Sequence, residues 1–185
     1  MHFLGLVLSL VVAAAPQGAQ AQPDPRFEVD VKATFVFQFS RYAEWPSAAP
    51  ATAPQPSFKV CTVTDGTFDH SLDKVLEGES VAGRPMVRLV PGSLHEARGC
   101  QILFIGDIEP ERVKALLASV NQHPVLTVGE TPEFLKWGGQ IRLLRDGKRV
   151  RFDINLAAAR LNNIVLRSQL LRIARNVFPD GERIP

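Results

Sequence analysis

From Phe27 to Tyr42 the apolar residues Val31, Phe35, Phe39 and Tyr42 recur at helical spacing, and Val36 and Ala43 widen the stripe. This period predicts a helix with one buried face, its aromatics serving as core. Trp45-Pro46 ends it, because a residue before proline is pushed out of the α region. Pro46 to Pro56 is rich in Pro and Ala without apolar periodicity and reads as an exposed loop.

Short apolar runs then alternate with helical ones. Ser57 to Thr64 predicts a strand turned by Asp65-Gly66, followed by a helix over Asp69 to Glu77 with Leu72, Val75 and Leu76 inward. Pro85 to Val90 predicts a second strand. Cys100 to Ile105 is the most apolar run and belongs at the centre of a sheet, buried on both faces. Gly106-Asp107 leads into a helix over Pro110 to Val120, with proline in the first turn where its missing N–H does no harm. Pro124 to Val128 predicts a further short strand. Gly138-Gly139 follows Trp137 as a left-handed helix cap, with a catalytic glycine loop as the competing reading.

The pattern then changes. Gln140 to Leu144 and Arg149 to Ile154 flank Asp146-Gly147, a hairpin signal. In the second strand Val150, Phe152 and Ile154 point one way and Arg149, Arg151 and Asp153 the other, which predicts a half-exposed antiparallel edge. Helices over Leu156 to Leu161 and Arg167 to Val177 close the chain, the latter with Leu170, Leu171, Ala174 and Val177 inward. The fold expected is a single α/β domain: a mixed, mostly parallel sheet of about six strands flanked by helices, with a C-terminal antiparallel hairpin.

The N-terminus places the protein outside the cytoplasm. Phe3 to Ala15 is apolar but shorter than the roughly 20 residues that cross a bilayer, and Ala19-Gln20-Ala21 is an A-x-A cleavage pattern. No Lys or Arg precedes the run, which leaves a buried N-terminal helix or an anchor as alternatives. Residues 1–21 are read as a signal peptide that is removed, and 22–185 as the mature domain, without membrane insertion. Roughly 160 residues suffice for one core.

Net charge is +2 with acids and bases interspersed. The arginines and Lys148 of the C-terminal third are spaced as solvated faces, which argues against nucleic-acid binding. Cys61 and Cys100 form an even count in an oxidising compartment, each in or beside a predicted strand. If the strands are neighbours, a disulfide would close a loop worth about 4 kcal/mol; two free buried thiols are the alternative. Two distant cysteines without a His pair do not make a zinc set.

Catalytic signals are sparse. The sequence has no G-x-S-x-G elbow and no Gly-rich nucleotide loop. His2, His70, His95 and His123 are scattered and read as surface or leader residues. Carboxylates cluster at Asp107, Glu109 and Glu111 beyond the central strand, and Asp65 ends its neighbour. Ligands of parallel α/β sheets bind at this edge, so a small anion, metabolite or divalent metal at Asp65 and Asp107 competes with ordinary helix-dipole partnering. An enzyme would need Asp107 and Glu109 as metal-bound acid and base. No catalytic residue, metal site or cofactor is assigned.

Several segments together resemble the YfiR-like family of periplasmic regulators: V-K-A-T-F-V-F-Q-F-S-R-Y-A-E-W-P, G-C-Q-I-L-F-I, V-L-T-V-G-E with F-L-K-W-G-G-Q-I, and R-F-D-I-N-L-A-A-A-R running into S-Q-L-L-R-I-A. They run in order from about Val29 to Ala174. The resemblance implies a non-enzymatic protein, often a homodimer, that binds the periplasmic sensor domain of an inner-membrane diguanylate cyclase and holds it inactive. Cyclic di-GMP then falls, and biofilm formation with it. The alternative is a periplasmic small-ligand sensor using the strand ends. Cys61 and Cys100 match a cysteine pair of some members; a second pair is missing, since Phe134 to Arg145 holds no Cys, which favours a structural bridge over a redox switch. The resemblance also draws attention to Arg151, Asp153 and Asn155 as partner contacts on an open strand face or at the strand end, against a solvated strand face with Asn155 capping the next helix.

Overall fold

The computed structural model describes residues 25–46, 57–180 and 184. The expected signal peptide and nearly all of the Pro/Ala-rich loop lie outside the described residues. The elements are α1 (Pro25–Tyr42), β1 (Ala43–Glu44), β2 (Phe58–Val63), α2 (Thr67–Leu76), β3 (Ser80–Val81), β4 (Arg84–Leu89), α3 (Leu94–Ala97), β5 (Ile102–Ile105), α4 (Pro110–Val120) and β6 (Leu126–Gly129). There follow β7 (Ile141–Asp146), β8 (Arg149–Asn155), α5 (Leu156–Leu161), β9 (Val165–Leu166), α6 (Ser168–Ile173) and β10 (Asn176–Phe178).

Among the described residues eight strands form one mixed sheet in the order β10-β8-β7-β6-β5-β2-β4-β3. Its middle, β4 through β7, is parallel. The β7–β8 pair is antiparallel and turns at Gly147, whose φ of +60° suits the tight connection expected there. All four residues of β5 are buried, since helices cover both faces of the central strands. A separate ribbon pairs β1 with β9 and ties the end of α1 to the C-terminal helices.

Two apolar layers sandwich the sheet. On one face α1, α2 and α6 bury Val36, Phe39, Leu72 and Leu170 against Val60, Phe104, Val128 and Phe152. Phe152 sits edge-on to Phe35 and Phe39, with ring centroids 5.4 and 5.1 Å away. Truncating such a ring to Ala typically costs 3–5 kcal/mol, so this triad fixes α1 across the hairpin. On the opposite face α3, α4 and the turns of 131–138 cover Cys61, Leu103, Ile105 and Val125. Phe134 plugs that layer; a Cβ at Gly129 or Gly139 would overlap its ring.

Two expectations are corrected at the C-terminus. The helix predicted through Val177 stops at Ile173, and the chain re-enters the sheet as β10. Pro179 follows Phe178, so the pre-proline residue is held extended, and Val-Phe suits a strand. β10 pairs in parallel with β8, matching Asn176 to Asp153 and Phe178 to Asn155. The edge expected at β8 is therefore covered from Asp153 to Asn155, and among the described residues the sheet has eight strands rather than about six.

Candidate functional site

Asp153 was expected on an open strand face; instead its side chain is 1% exposed. The alternation was read correctly, but β10 and the chain leading to it close over that face. Arg175 approaches the carboxylate side-on, its Nε and Nη2 donating to Oδ1 and Oδ2 at 2.9 and 2.6 Å. Arg142 Nη2, from β7, donates to Oδ2 at 2.9 Å, and Asn176 Nδ2 donates to Oδ1 at 3.0 Å. Burial on its own would push the Asp153 carboxyl up. The bonds from Arg175, Asn176 and Arg142 outweigh that and hold it below the usual carboxylate range. In turn, the bond to Asp153 holds the Arg175 guanidinium above its usual value.

Asn155, at the strand end, is buried as well, and takes the helix-capping role that stood as the alternative to partner contact. Its Oδ1 accepts from Ala158 N at 3.0 Å, capping α5, while Nδ2 donates to the Leu135 carbonyl at 3.2 Å. Arg151 is half-buried and lines a different surface, together with Phe35, Phe152, Arg172 and Ile173. Its Nε is shielded from water and has no hydrogen-bond acceptor. The structure thus separates three residues that the sequence grouped. Two hold the domain together internally, and one faces a cavity.

Asp65 and Asp107 lie beyond the ends of the paired strands β2 and β5, both exposed. Asp65 Oδ1 accepts from Thr67 N at 3.0 Å, a local turn that launches α2. Glu111 pairs with Lys114 at 2.8 Å, and Glu109 precedes α4 without capping it through its side chain. Among the described residues no group of three or more His, Cys, Asp or Glu is placed to hold a metal ion. His70 and His95 are exposed, and His123 is half-buried beside its own turn, its Nδ1 2.9 Å from the Asn121 carbonyl oxygen.

Cys61 and Cys100 form a disulfide, with Cα atoms 5.9 Å apart. It staples β2 to the segment entering β5 on the face covered by α3 and α4. Beside it lies a cavity of about 510 Å³ lined by Lys59, Leu89, Val90, His95 and Arg98. Gly138, at φ +93°, takes the left-handed conformation expected of a cap, although the turns of 131–138 replace a regular helix before it.

The second open surface was not singled out from sequence. A trough of about 280 Å³ runs between the start of α1 and the hairpin, lined by Phe27, Val31, Phe35, Arg145, Lys148, Arg149 and Val150. Phe35 also lines the cavity of about 340 Å³ that holds Arg151 and Ile173. The signal for it lay in the sequence: Phe27 begins the aromatic stripe one turn before Val31, at an end of α1 left exposed among the described residues.

With the geometry in place, comparison with known proteins decides the family. A family model described as YfiR/HmsC-like matches residues 29–175. The chain belongs to the YfiR/HmsC-like family. The match runs from within α1 through α6, takes in both cysteines and Asp153 with Arg142 and Arg175, and supports a periplasmic regulatory role in general. No individually curated protein matches the sequence at a significant level. Among solved structures, the chain is similar to a conserved domain protein from Vibrio cholerae O1 biovar El Tor at 13% identity and a TM-score of 0.50. It is also similar to the ABC domain solved in complex with L-Trp from Streptococcus pneumonia, at 10% identity and a TM-score of 0.53. These matches cover 80% and 81% of this chain but 60% of each solved chain, and they show the fold alone. No helix among the described residues is long and apolar enough to cross a membrane.

Proposed function

We propose that this YfiR/HmsC-like protein is exported to the periplasm, where it binds the sensor domain of an inner-membrane diguanylate cyclase and holds the enzyme inactive, lowering cyclic di-GMP. The family match over residues 29–175 carries this reading. The domain acts as a binding module: it favours one state of its partner by differential affinity, and no group transfer is required of it. Its internal polar clusters suit that role. The disulfide and the Asp153 cluster brace the sheet from within, leaving the outer surface free to specify a partner. Of the three residues first singled out for contact, Arg151 is the one retained at an open surface. Self-association into a homodimer is compatible with this role.

The test pairs a binding measurement with a cellular one. Purified chain is titrated against the periplasmic region of the cyclase encoded nearest to it, and cyclic di-GMP is measured in cells with the exported chain present or deleted. Saturable binding together with raised cyclic di-GMP on deletion supports the proposal. Absence of binding together with unchanged cyclic di-GMP removes it.

A further inference from the structure

We propose that the trough between α1 and the β7–β8 hairpin, from Phe27 past Phe35 to Ile173, is a docking groove for an amphipathic helix whose apolar stripe is flanked by carboxylates. This rests on the reading that the protein works by binding a partner, and it names the surface and the chemistry of what binds.

The apolar floor is the first argument. Phe27 is 65% exposed and Ile173 57% exposed, at opposite ends of a path that Phe35 joins by lining both cavities. Large apolar side chains scattered singly on a surface need no explanation, but apolar side chains set along one concavity mark an interaction site. The path lies along α1, whose Phe27, Val31 and Phe35 form its floor, rather than along the outer edge of β8, where β10 pairs from Asp153 to Asn155. The fitting mode is a helix laid into a groove, not strand addition.

Charge selects the occupant. Among the described residues Arg145, Lys148, Arg149, Arg151 and Arg172 line the two cavities against a single acid, Glu28. Glu28 is already engaged, 2.8 Å from Lys32 and 3.6 Å from Arg145. Among the described residues no carboxylate lies within 4.0 Å of Lys148, Arg149, Arg151 or Arg172. Asp146 faces Arg149 in the hairpin register without forming an ion pair. An occupant with flanking carboxylates meets this surplus, whereas a second copy seated on the same patch would bring like charges together across a two-fold axis. A bilayer of anionic lipid satisfies the charge but is met by protruding side chains, whereas between Phe27 and Ile173 the floor at Val31 and Phe35 is half-buried.

The test uses the folded chain and three probes. The variants are Phe27→Ser, Ile173→Ser and the double replacement Lys148→Glu/Arg149→Glu, all at exposed positions, with unchanged thermal melts confirming the fold. The first probe is the periplasmic region of the cyclase. The second is a synthetic helix of about 18 residues with a Leu stripe flanked by Glu, long enough to hold helical structure in water, with a Lys-flanked counterpart as control. The third is vesicles of phosphatidylglycerol and phosphatidylcholine. We expect each variant to weaken binding of the cyclase region about tenfold or more, the Glu-flanked helix to bind in preference to its Lys-flanked counterpart, and wild-type binding to fall steeply with salt. If the cyclase region binds wild type and variants alike, the groove is wrong and the regulatory reading stands. If the cyclase region fails to bind but the Glu-flanked helix binds in a variant-sensitive way, the groove stands and the cyclase reading falls. Variant-sensitive binding to vesicles alone, or self-association abolished by the variants, assigns the surface to lipid or to a second copy and overturns the proposal.

Discussion

Strand β8 has two ends, and they handle charge in opposite ways. At one, Asp153 sits beneath Arg142, Arg175 and Asn176, its carboxylate taken up by four hydrogen bonds from these neighbours. At the other, near the hairpin tip, five bases line an apolar trough whose single acid among the described residues is already paired. The first end is a closed account of donors and acceptors, and it stabilises. The second carries a surplus, and a surplus is what a partner can read. A polar residue's value for binding therefore depends on whether its neighbours have already satisfied it, not on which face of the strand it occupies.

Removing Asp153 should separate the two ends most sharply. Asp153→Ala leaves two guanidinium groups without their acceptor, and breaking a buried pair of this kind costs about 3 kcal/mol. Chemical denaturation would show a lowered midpoint with an unchanged slope. Binding to the partner by the fraction that stays folded should persist. If stability held and only binding fell, Asp153 would belong to the surface after all, and the contrast between the ends would dissolve.

The same cluster sets an acid dependence. The folded-state pKa of Asp153 is depressed, so its stabilisation is complete above the ordinary carboxylate range. It declines as pH falls through that range and is gone once pH drops below the depressed folded value. Wild type should therefore exceed Asp153→Asn in stability by a constant margin at neutral pH, and the margin should shrink on acidification. Equilibrium unfolding of both proteins across acid pH checks this; a margin that grew toward acid would reverse the sign and exclude the ionised pair.

Much of the fold was legible because period and punctuation agreed. Helix α4 was expected over Pro110 to Val120 and has those bounds, with proline opening it and Val113, Leu116, Leu117 and Val120 inward. The four-residue apolar run of β5 could only sit mid-sheet, and the paired cysteines met once β2 and β5 were neighbours. What sequence did not reveal was what lies across each strand. Alternation assigns Asp153 to the side opposite Phe152, yet says nothing of β10, which lies more than twenty residues later and covers it. Arg175 looked like one more solvated helix residue because the helix was carried too far; Pro179 held the warning. The groove was missed for a related reason. A stripe of aromatics reads as core along its whole length, and only the packing shows that its first turn, at Phe27, runs past the sheet it covers.

A milder contrast concerns Asn155. It caps α5 and reaches Leu135, so Asn155→Ala removes the acceptor for Ala158 N and one bond to the turn beside α5. The expected cost is about 1 kcal/mol, the usual worth of a helix cap, read as a small drop in melting temperature. Asn155→Ser keeps a cap acceptor without the Leu135 bond and should recover part of it. Failure to recover would assign the loss to the Leu135 contact.

The smallest effect is the most diagnostic for the open end. Lys148 is exposed at the hairpin turn, without a carboxylate partner among the described residues, beside Arg145 and Arg149. Lys148→Ala should shift stability by no more than about 0.5 kcal/mol, and in the stabilising direction at low salt, because it relieves repulsion among like charges. The gain should vanish near 1 M salt, where the screening length is about 3 Å. Melting curves of the two proteins at low and high salt decide it. A loss of stability at low salt that salt abolishes would mean that Lys148 is held by an attraction within the domain. The trough would then be balanced like the opposite end, with no surplus left to recruit a partner.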